Sequence, residues 1–214
     1  MALAVLIYMT AKVSGGKLNP AVSLGLLVAR SITPARCLLE VTMQLLGGII
    51  GAGLSKYLTA GTMAGDSPGC FVGAFGVGGG QVFLWELITT FVLVSVVFAT
   101  AVDDTAAEHF VSIAPLAIGL SLFACAQASG PFTGGCLNPA RFIGAAVAFA
   151  DHSDCGPRTA KLLPAYILGE LIGGALAGVL FRLRLTLQIL YKEHLSAVAA
   201  AEPKEDSPSS PVTQ

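Results

Sequence analysis

Charge is scarce in this sequence. Of its 214 residues, 12% are charged and 54% apolar, against about 25% charged in an ordinary soluble domain. That shortfall places the chain in the membrane class before any motif is read. The formal net charge is −1, so bulk charge implies no nucleic-acid partner. Cysteine numbers five, without zinc spacing and in an odd count, which gives neither a metal site nor a complete disulfide framework. Cys37, Cys125 and Cys136 lie in or beside apolar stretches and read as packing residues. Cys70 and Cys155 can share a compartment, and a bridge between them is left open. No convergent set of His, Cys or carboxylates appears, so an enzymatic reading has no support. No charged segment precedes Ala2-Leu3-Ala4-Val5-Leu6-Ile7, so the start lacks the plan of a signal peptide. It reads as the second half of a membrane helix, cut open.

What the chain does have is a twelve-residue segment that occurs twice. Ser14-Gly15-Gly16-Lys17-Leu18-Asn19-Pro20-Ala21-Val22-Ser23-Leu24-Gly25 is one copy. Thr133-Gly134-Gly135-Cys136-Leu137-Asn138-Pro139-Ala140-Arg141-Phe142-Ile143-Gly144 is the other. The two glycines, Leu-Asn-Pro-Ala and the closing glycine agree, seven of the twelve positions. Each copy reads as a helix start, with Asn at the N-cap and Pro at the first helical position. The apolar run that follows is only about a dozen residues, roughly 18 Å of helix. That is about half of a ~30 Å bilayer core, so two such half-helices can enter from opposite sides and meet head to head.

Hydrophobicity divides the rest. Residues 1–13 are the helical remnant and residues 19–30 the first half-helix. Full spans are expected at Cys37–Leu58, Val82–Val102, Phe110–Ala128 and Leu162–Phe181. Residues 59–81 read as a glycine-rich loop, and Asp103, Asp104 and Glu108 as a polar turn. The second half-helix runs from Asn138 to about Ala150. Residues 1–195 are expected to form one membrane-embedded domain, with 1–58 the remainder of a first repeat and 82–183 a second. Residues 196–214, rich in Pro, Ser and Glu, are expected to be a disordered cytosolic tail, its Ser207, Ser209 and Ser210 simply solvated. Gln44-Leu45-Leu46-Gly47-Gly48 aligns with Glu170-Leu171-Ile172-Gly173-Gly174. Three expected full spans, an odd number, lie between the two copies, which makes the repeats inverted. Gly47, Gly51, Gly174 and Gly178 are expected to let helices approach closely. The offset between copies, 119 residues, puts the partner of the span at 82 about 37 residues before Met1. The first span and part of the second are thus expected to be missing. Lys12, Lys17, Arg30, Arg36, Arg182, Arg184, Lys192 and Lys204 fall on one side of this path, and Lys56, Arg158 and Lys161 on the other. The positive-inside rule then puts the C-terminus in the cytosol.

Two Asn-Pro-Ala copies, each with Gly-Gly before and Gly after, in so apolar a chain resemble the aquaporin (major intrinsic protein) family. The resemblance runs from about Val5 to Leu183. It implies an all-α membrane protein: a right-handed bundle with inverted repeats and two re-entrant half-helices. It further implies a passive, cofactor-free and metal-free channel for water, assembled as a homotetramer in which each chain has its own pore. Segments Ile113-Ala114-Pro115-Leu116-Ala117-Ile118-Gly119 and Ala99-Thr100-Ala101-Val102-Asp103 look most like the vacuolar (tonoplast intrinsic) branch. Residence in a vacuolar, other intracellular or plasma membrane stays open.

The resemblance assigns roles. Asn19, Pro20, Ala21, Asn138, Pro139 and Ala140 mark the pore midplane. There the positive ends of the half-helices repel cations and protons. Arg141, an arginine inside a membrane segment, lines the outer selectivity filter with Gly135 and Ala126. Both of the latter are small, which implies a wide filter passing ammonia, hydrogen peroxide, urea or glycerol beside water. Phe142, where the glycerol branch usually has Asp, argues the other way, and Tyr166 is aquaporin-like. Glu86, with Thr90 one turn on, is expected to accept hydrogen bonds from the re-entrant backbone; Gln44 is expected to give structural support. Lys17 stands where many relatives have His and reads first as a solvated lysine, second as a residue altering the cytosolic mouth. Glu170 stands where the family usually has Pro; a structural role is favoured over pH sensing. Two rivals remain: an inverted-repeat secondary transporter, and a non-conducting partner chain.

Overall fold

The computed structural model describes residues 1–60, 69–103, 108–153 and 155–201. Asp104, Lys204, Ser207, Ser209 and Ser210 lie outside them. Among the described residues every regular element is helical. Helix α1 is Ala2–Ser14, α2 Pro20–Val28, α3 Pro34–Thr59, and α4 Gly79–Val97 with a π-helical end at Phe98–Val102. Then come α5 Glu108–Thr133, α6 Pro139–Ala148 and α7 Cys155–Ala201. Four stretches are long and apolar enough to cross a membrane: Pro34–Thr59, Gly79–Val102, Val111–Thr133 and Cys155–Val198. Among the described residues the fold is all-α, with the helices of a membrane protein.

The half-helices are as short as the sequence predicts. α2 has 9 residues and α6 has 10, about 13 and 15 Å. Each is capped by its Asn and opened by Pro at the first helical position. Several boundaries differ from expectation. α5 continues through Pro131 to Thr133, five residues past Ala128, and so delivers the chain directly into the second re-entrant turn. α7 is a single helix of 47 residues, about 70 Å long and far longer than the expected span. It carries Arg182, Arg184 and Lys192 on helix and takes in residues 196–201 of the expected disordered tail. Asp103 is not a solvated turn residue. The π-helical end of α4 turns it inward, 7% exposed, where it pairs with Arg184 Nη2 of α7 at 2.5 Å. Beside it Phe98 stacks on Phe181 with centroids 4.5 Å apart.

The repeats are interlocked. α3, from the first repeat, packs on half-helix α6 of the second; α7 packs on half-helix α2 of the first. At both crossings a side chain would collide with backbone: a Cβ on Gly48 would meet the Ala140 carbonyl, and one on Gly174 the Ala21 carbonyl. Gly144 meets Gly48, and Gly178 meets Gly25, in the same way. The expected role of Gly174 and Gly178 is therefore met. A Cβ on Gly47 or Gly51 would meet nothing within 4 Å outside its own helix; one residue on from Gly47, about 100° around the helix, Gly48 makes the approach instead. The outward face of α3 carries exposed Leu38, Met43, Leu46, Ile50 and Leu54, an apolar stripe suited to lipid. At the far end of α3, Lys56 Nζ reaches Asp151 Oδ1 at 2.5 Å. Donation from Lys56 holds the Asp151 carboxyl below the usual carboxylate range.

Candidate functional site

The site is built from two backbone turns that face each other. Gly15 and Gly16 have φ of 87° and 68°, and Gly134 and Gly135 have φ of 83° and 62°. This left-handed conformation suits glycine, and it explains why Gly-Gly precedes both Asn-Pro-Ala copies. After it the chain runs extended to Asn19 (φ −148°) and Asn138 (φ −155°). Asn19 Oδ1 accepts from Ala21 N at 2.9 Å. Asn138 Oδ1 accepts from Ala140 N at 3.0 Å and Arg141 N at 3.3 Å. The amide nitrogens cross over: Asn19 Nδ2 donates to the Leu137 carbonyl at 2.7 Å, and Asn138 Nδ2 to the Leu18 carbonyl at 2.9 Å. A side-chain amide has two N–H donors, so each Asn retains one beyond this strut.

Both asparagines border one cavity of about 610 Å³. Its wall includes Lys17, Leu18, Val22, Val97, Ile118, Ala126, Cys136 and Arg141. Most of that wall is aliphatic; the polar groups lie along the re-entrant backbone. A second, shallower cavity of about 420 Å³ opens on the α3 side, where Gln44, Gly48 and Phe71 also meet Asn138 and Arg141. Arg141 thus borders both.

The Arg141 guanidinium is held from within its own loop. Nη1 donates to the Gly135 carbonyl at 2.7 Å and the Cys136 carbonyl at 3.2 Å. Gly135 itself packs on Ala126, which an added Cβ would approach to 2.8 Å at Cα. The three expected filter residues therefore come together: Ala126 and Arg141 face the cavity, and Gly135 supplies its carbonyl rather than a side-chain wall. Sequence reasoning missed a fourth group, Phe71, whose ring centroid lies 4.7 Å from Arg141 Cζ. Its neighbour Cys70 is disulfide-bonded to Cys155, which closes the question left open by sequence. Cys37, Cys125 and Cys136 are free and buried, in keeping with packing roles.

Behind the second turn sits Glu86, fully buried. Its Oε1 accepts from Thr133 Oγ1 at 2.6 Å and Cys136 N at 3.2 Å, and its Oε2 from Leu137 N at 2.8 Å. Three donors on one carboxylate satisfy a turn that has no helical partners of its own. Thr90, expected beside it, is buried but makes no hydrogen bond among the described residues. Glu170 Oε1 accepts from Asn138 N at 3.0 Å, while Oε2 has no hydrogen-bond partner among the described residues. In the aligned position of the first repeat, Gln44 Nε2 donates to the Lys17 carbonyl at 3.0 Å and Ser23 Oγ at 3.1 Å. Tyr166 and Phe142 stand behind Arg141, stacked at 4.5 Å. Tyr166 donates to the Thr133 carbonyl at 2.5 Å and accepts from Gly73 N at 3.2 Å.

Lys17 departs from the solvated reading. Its side chain is 10% exposed and pairs with Glu40 Oε1 of α3 at 2.5 Å. Glu40 also accepts from Arg36 Nε at 3.0 Å and Ser23 Oγ at 2.9 Å. No cluster of three or more His, Cys, Asp or Glu able to hold a metal occurs among the described residues.

The sequence profile described as major intrinsic protein matches residues 1–181. Aquaporin TIP2-1 of Arabidopsis thaliana is 42% identical over 180 residues, covering 84% of this chain and 67% of that protein. Aquaporin PIP1-1 of Oryza sativa subsp. japonica is 40% identical over 151 residues, covering 69% and 52%. The X-ray structure of the aquaglyceroporin from Plasmodium falciparum superposes with a TM-score of 0.67 over 82% of this chain and 75% of that one, at 21% identity, a likeness of fold.

Proposed function

The chain belongs to the major intrinsic protein family, whose members are channels and not enzymes, and we propose on that premise that it passes water and small neutral solutes down their gradients while excluding protons and ions. One observation carries the reading. Two half-helix N-termini meet at Asn19 and Asn138, which border one cavity with a donor to spare on each. A water between them accepts from both sides, so its own hydrogens point away and a proton-conducting wire is interrupted. The positive ends of α2 and α6 add a barrier to cations.

Arg141 with Ala126 and the Gly135 carbonyl forms the outer filter. With small residues at two walls, ammonia, hydrogen peroxide, urea and glycerol are candidate solutes beside water. Lys and Arg placement supports a cytosolic C-terminus. Family resemblance supports a homotetramer in a vacuolar, other intracellular or plasma membrane. A coupled transporter would need a carboxylate that exchanges with the conduit; Glu86 and Glu170 are both fully buried behind the turns and border neither described cavity.

Stopped-flow shrinkage of proteoliposomes tests this. The expected result is fast water flux with a low activation energy and no proton leak by an internal pH dye. Saturable, ion-coupled flux would favour a transporter. Flux equal to that of empty liposomes, from protein shown to be inserted, would favour a non-conducting partner chain.

A further inference from the structure

We propose that the Cys70–Cys155 disulfide is a redox-dependent clasp that holds Phe71 across Arg141 and so sets which solutes the outer constriction passes. The selectivity part rests on the reading of Arg141 as the filter. The argument starts from how Phe71 is held. Its ring is 7% exposed and lies 4.7 Å from the Arg141 carbon, a cation–π contact. It is 6.2 Å from the rings of both Phe142 and Tyr166. Gly134 makes room for it, since a Cβ there would come to 3.1 Å from the ring.

The backbone that presents Phe71 is weakly secured. Among the described residues, 69–72 make no backbone–backbone hydrogen bond. The Phe71 carbonyl accepts only a long bond from Thr159 Oγ1, at 3.4 Å. Firm anchorage begins at Gly73, whose carbonyl accepts from Arg158 Nη2 at 2.9 Å, and at Ala74, whose N–H donates to the Phe132 carbonyl at 2.8 Å. The covalent tie at Cys70 therefore fixes the other side of Phe71. It reaches Cys155 at the first turn of α7 across a Cα–Cα distance of 6.0 Å. Without it, the backbone anchors of Phe71 among the described residues would all lie on its C-terminal side.

Reduction is simple thiol–disulfide exchange. A dithiol such as dithiothreitol attacks as thiolate at one bridge sulfur, forming a mixed disulfide and releasing the other cysteine. The reagent's second thiol then closes its own ring disulfide and frees the remaining cysteine. The protein gains two electrons and two protons, and the dithiol loses them. Cys70 is half-buried while Cys155 is 1% exposed, so Cys70 is the reachable sulfur.

The test uses the full chain and two readouts. In detergent, the rate at which phenylglyoxal modifies Arg141 is followed by peptide mass spectrometry, with the bridge state checked by alkylation and intact mass. Reduction, the Cys70→Ser/Cys155→Ser variant and Phe71→Ala are each expected to speed it by about two- to fivefold, the factor a single cation–π contact is worth. In proteoliposomes, the same three forms are expected to raise glycerol relative to water permeability by a similar factor, with dithiothreitol inert on the double-serine variant. An Arg141 rate unchanged by both reduction and the double-serine variant would overturn the clasp. A faster Arg141 reaction without any change in permeability ratio overturns the selectivity role. If Arg141→Val also leaves that ratio unchanged, the failure lies in the filter reading beneath it.

Discussion

Asn19 and Asn138 hold each other's loops. Asn19 donates at 2.7 Å to the carbonyl just before Asn138, and Asn138 donates at 2.9 Å to the carbonyl just before Asn19. Each residue is thus a cap for its own half-helix, a strut to the opposite loop and part of the cavity wall.

Asn138→Asp separates these roles. Aspartate caps as well as asparagine, but it cannot donate to Leu18 and adds negative charge where two helix dipoles converge. The expected outcome is a folded protein, destabilised by about 1–3 kcal/mol from the unsatisfied carbonyl, with measurable proton flux in dye-loaded proteoliposomes. Proton tightness equal to the parent's would show that the amide donor is not the barrier.

Glu86 and Thr90 are one helical turn apart and should respond oppositely. Glu86→Leu strands the N–H groups of Cys136 and Leu137 and the Thr133 hydroxyl, costing about 1–3 kcal/mol for each unsatisfied donor. Thr90→Val removes a hydroxyl that has no partner among the described residues and should be neutral or slightly stabilising. Thermal unfolding in one detergent, with both variants side by side, checks the contrast.

Glycine substitutions should divide by position rather than by motif. Gly174→Ala drives a methyl into the Ala21 carbonyl, and overpacking of this kind costs about 1–3 kcal/mol or more. Gly47→Ala meets nothing and should gain up to about 1 kcal/mol of helix propensity. Comparable losses in the two would mean that Gly47 is packed in the membrane-embedded protein.

Glu170 acts as an acceptor for Asn138 N. Glu170→Gln keeps that oxygen and should leave stability and water flux close to the parent's between pH 5 and pH 8 (about the range in which a pH sensor would act). Glu170→Leu removes it and should cost about 1–3 kcal/mol. A pH-dependent flux abolished by Glu170→Gln would instead make this residue a sensor.

The repeated Asn-Pro-Ala segments were legible in sequence because local chemistry fixes them: caps, a first-turn proline and paired glycines act within a few residues. The donors that Glu86 would serve were legible too, given the resemblance. What escaped depended on rotation about a helix or on distant partners. Gly48 differs from Gly47 by one residue, yet it faces α6. Lys17 finds Glu40 on the next span, so a cation that reads as solvated is in fact mostly enclosed. Asp103 and Arg184 are far apart in sequence and meet only because a π-helical end turns the chain. Phe71 sits in a loop without periodicity, and only its neighbouring cysteine hinted at its placement. The length of α7 was hidden because its C-terminal part is neither apolar throughout nor interrupted by Pro or Gly beyond Gly178 until Pro203.

The crossed packing of the repeats also has a consequence for the order of synthesis. Half-helix α2 emerges early from the ribosome, but the glycine surface it rests against, Gly174 and Gly178, is made about 150 residues later. Insertion must therefore hold the first re-entrant segment provisionally, and only the arrival of the last span can lock it. For α6 the order is reversed, since Gly48 is already in the bilayer when it arrives. One half of the conduit docks on a waiting surface, and the other waits for its surface to be made.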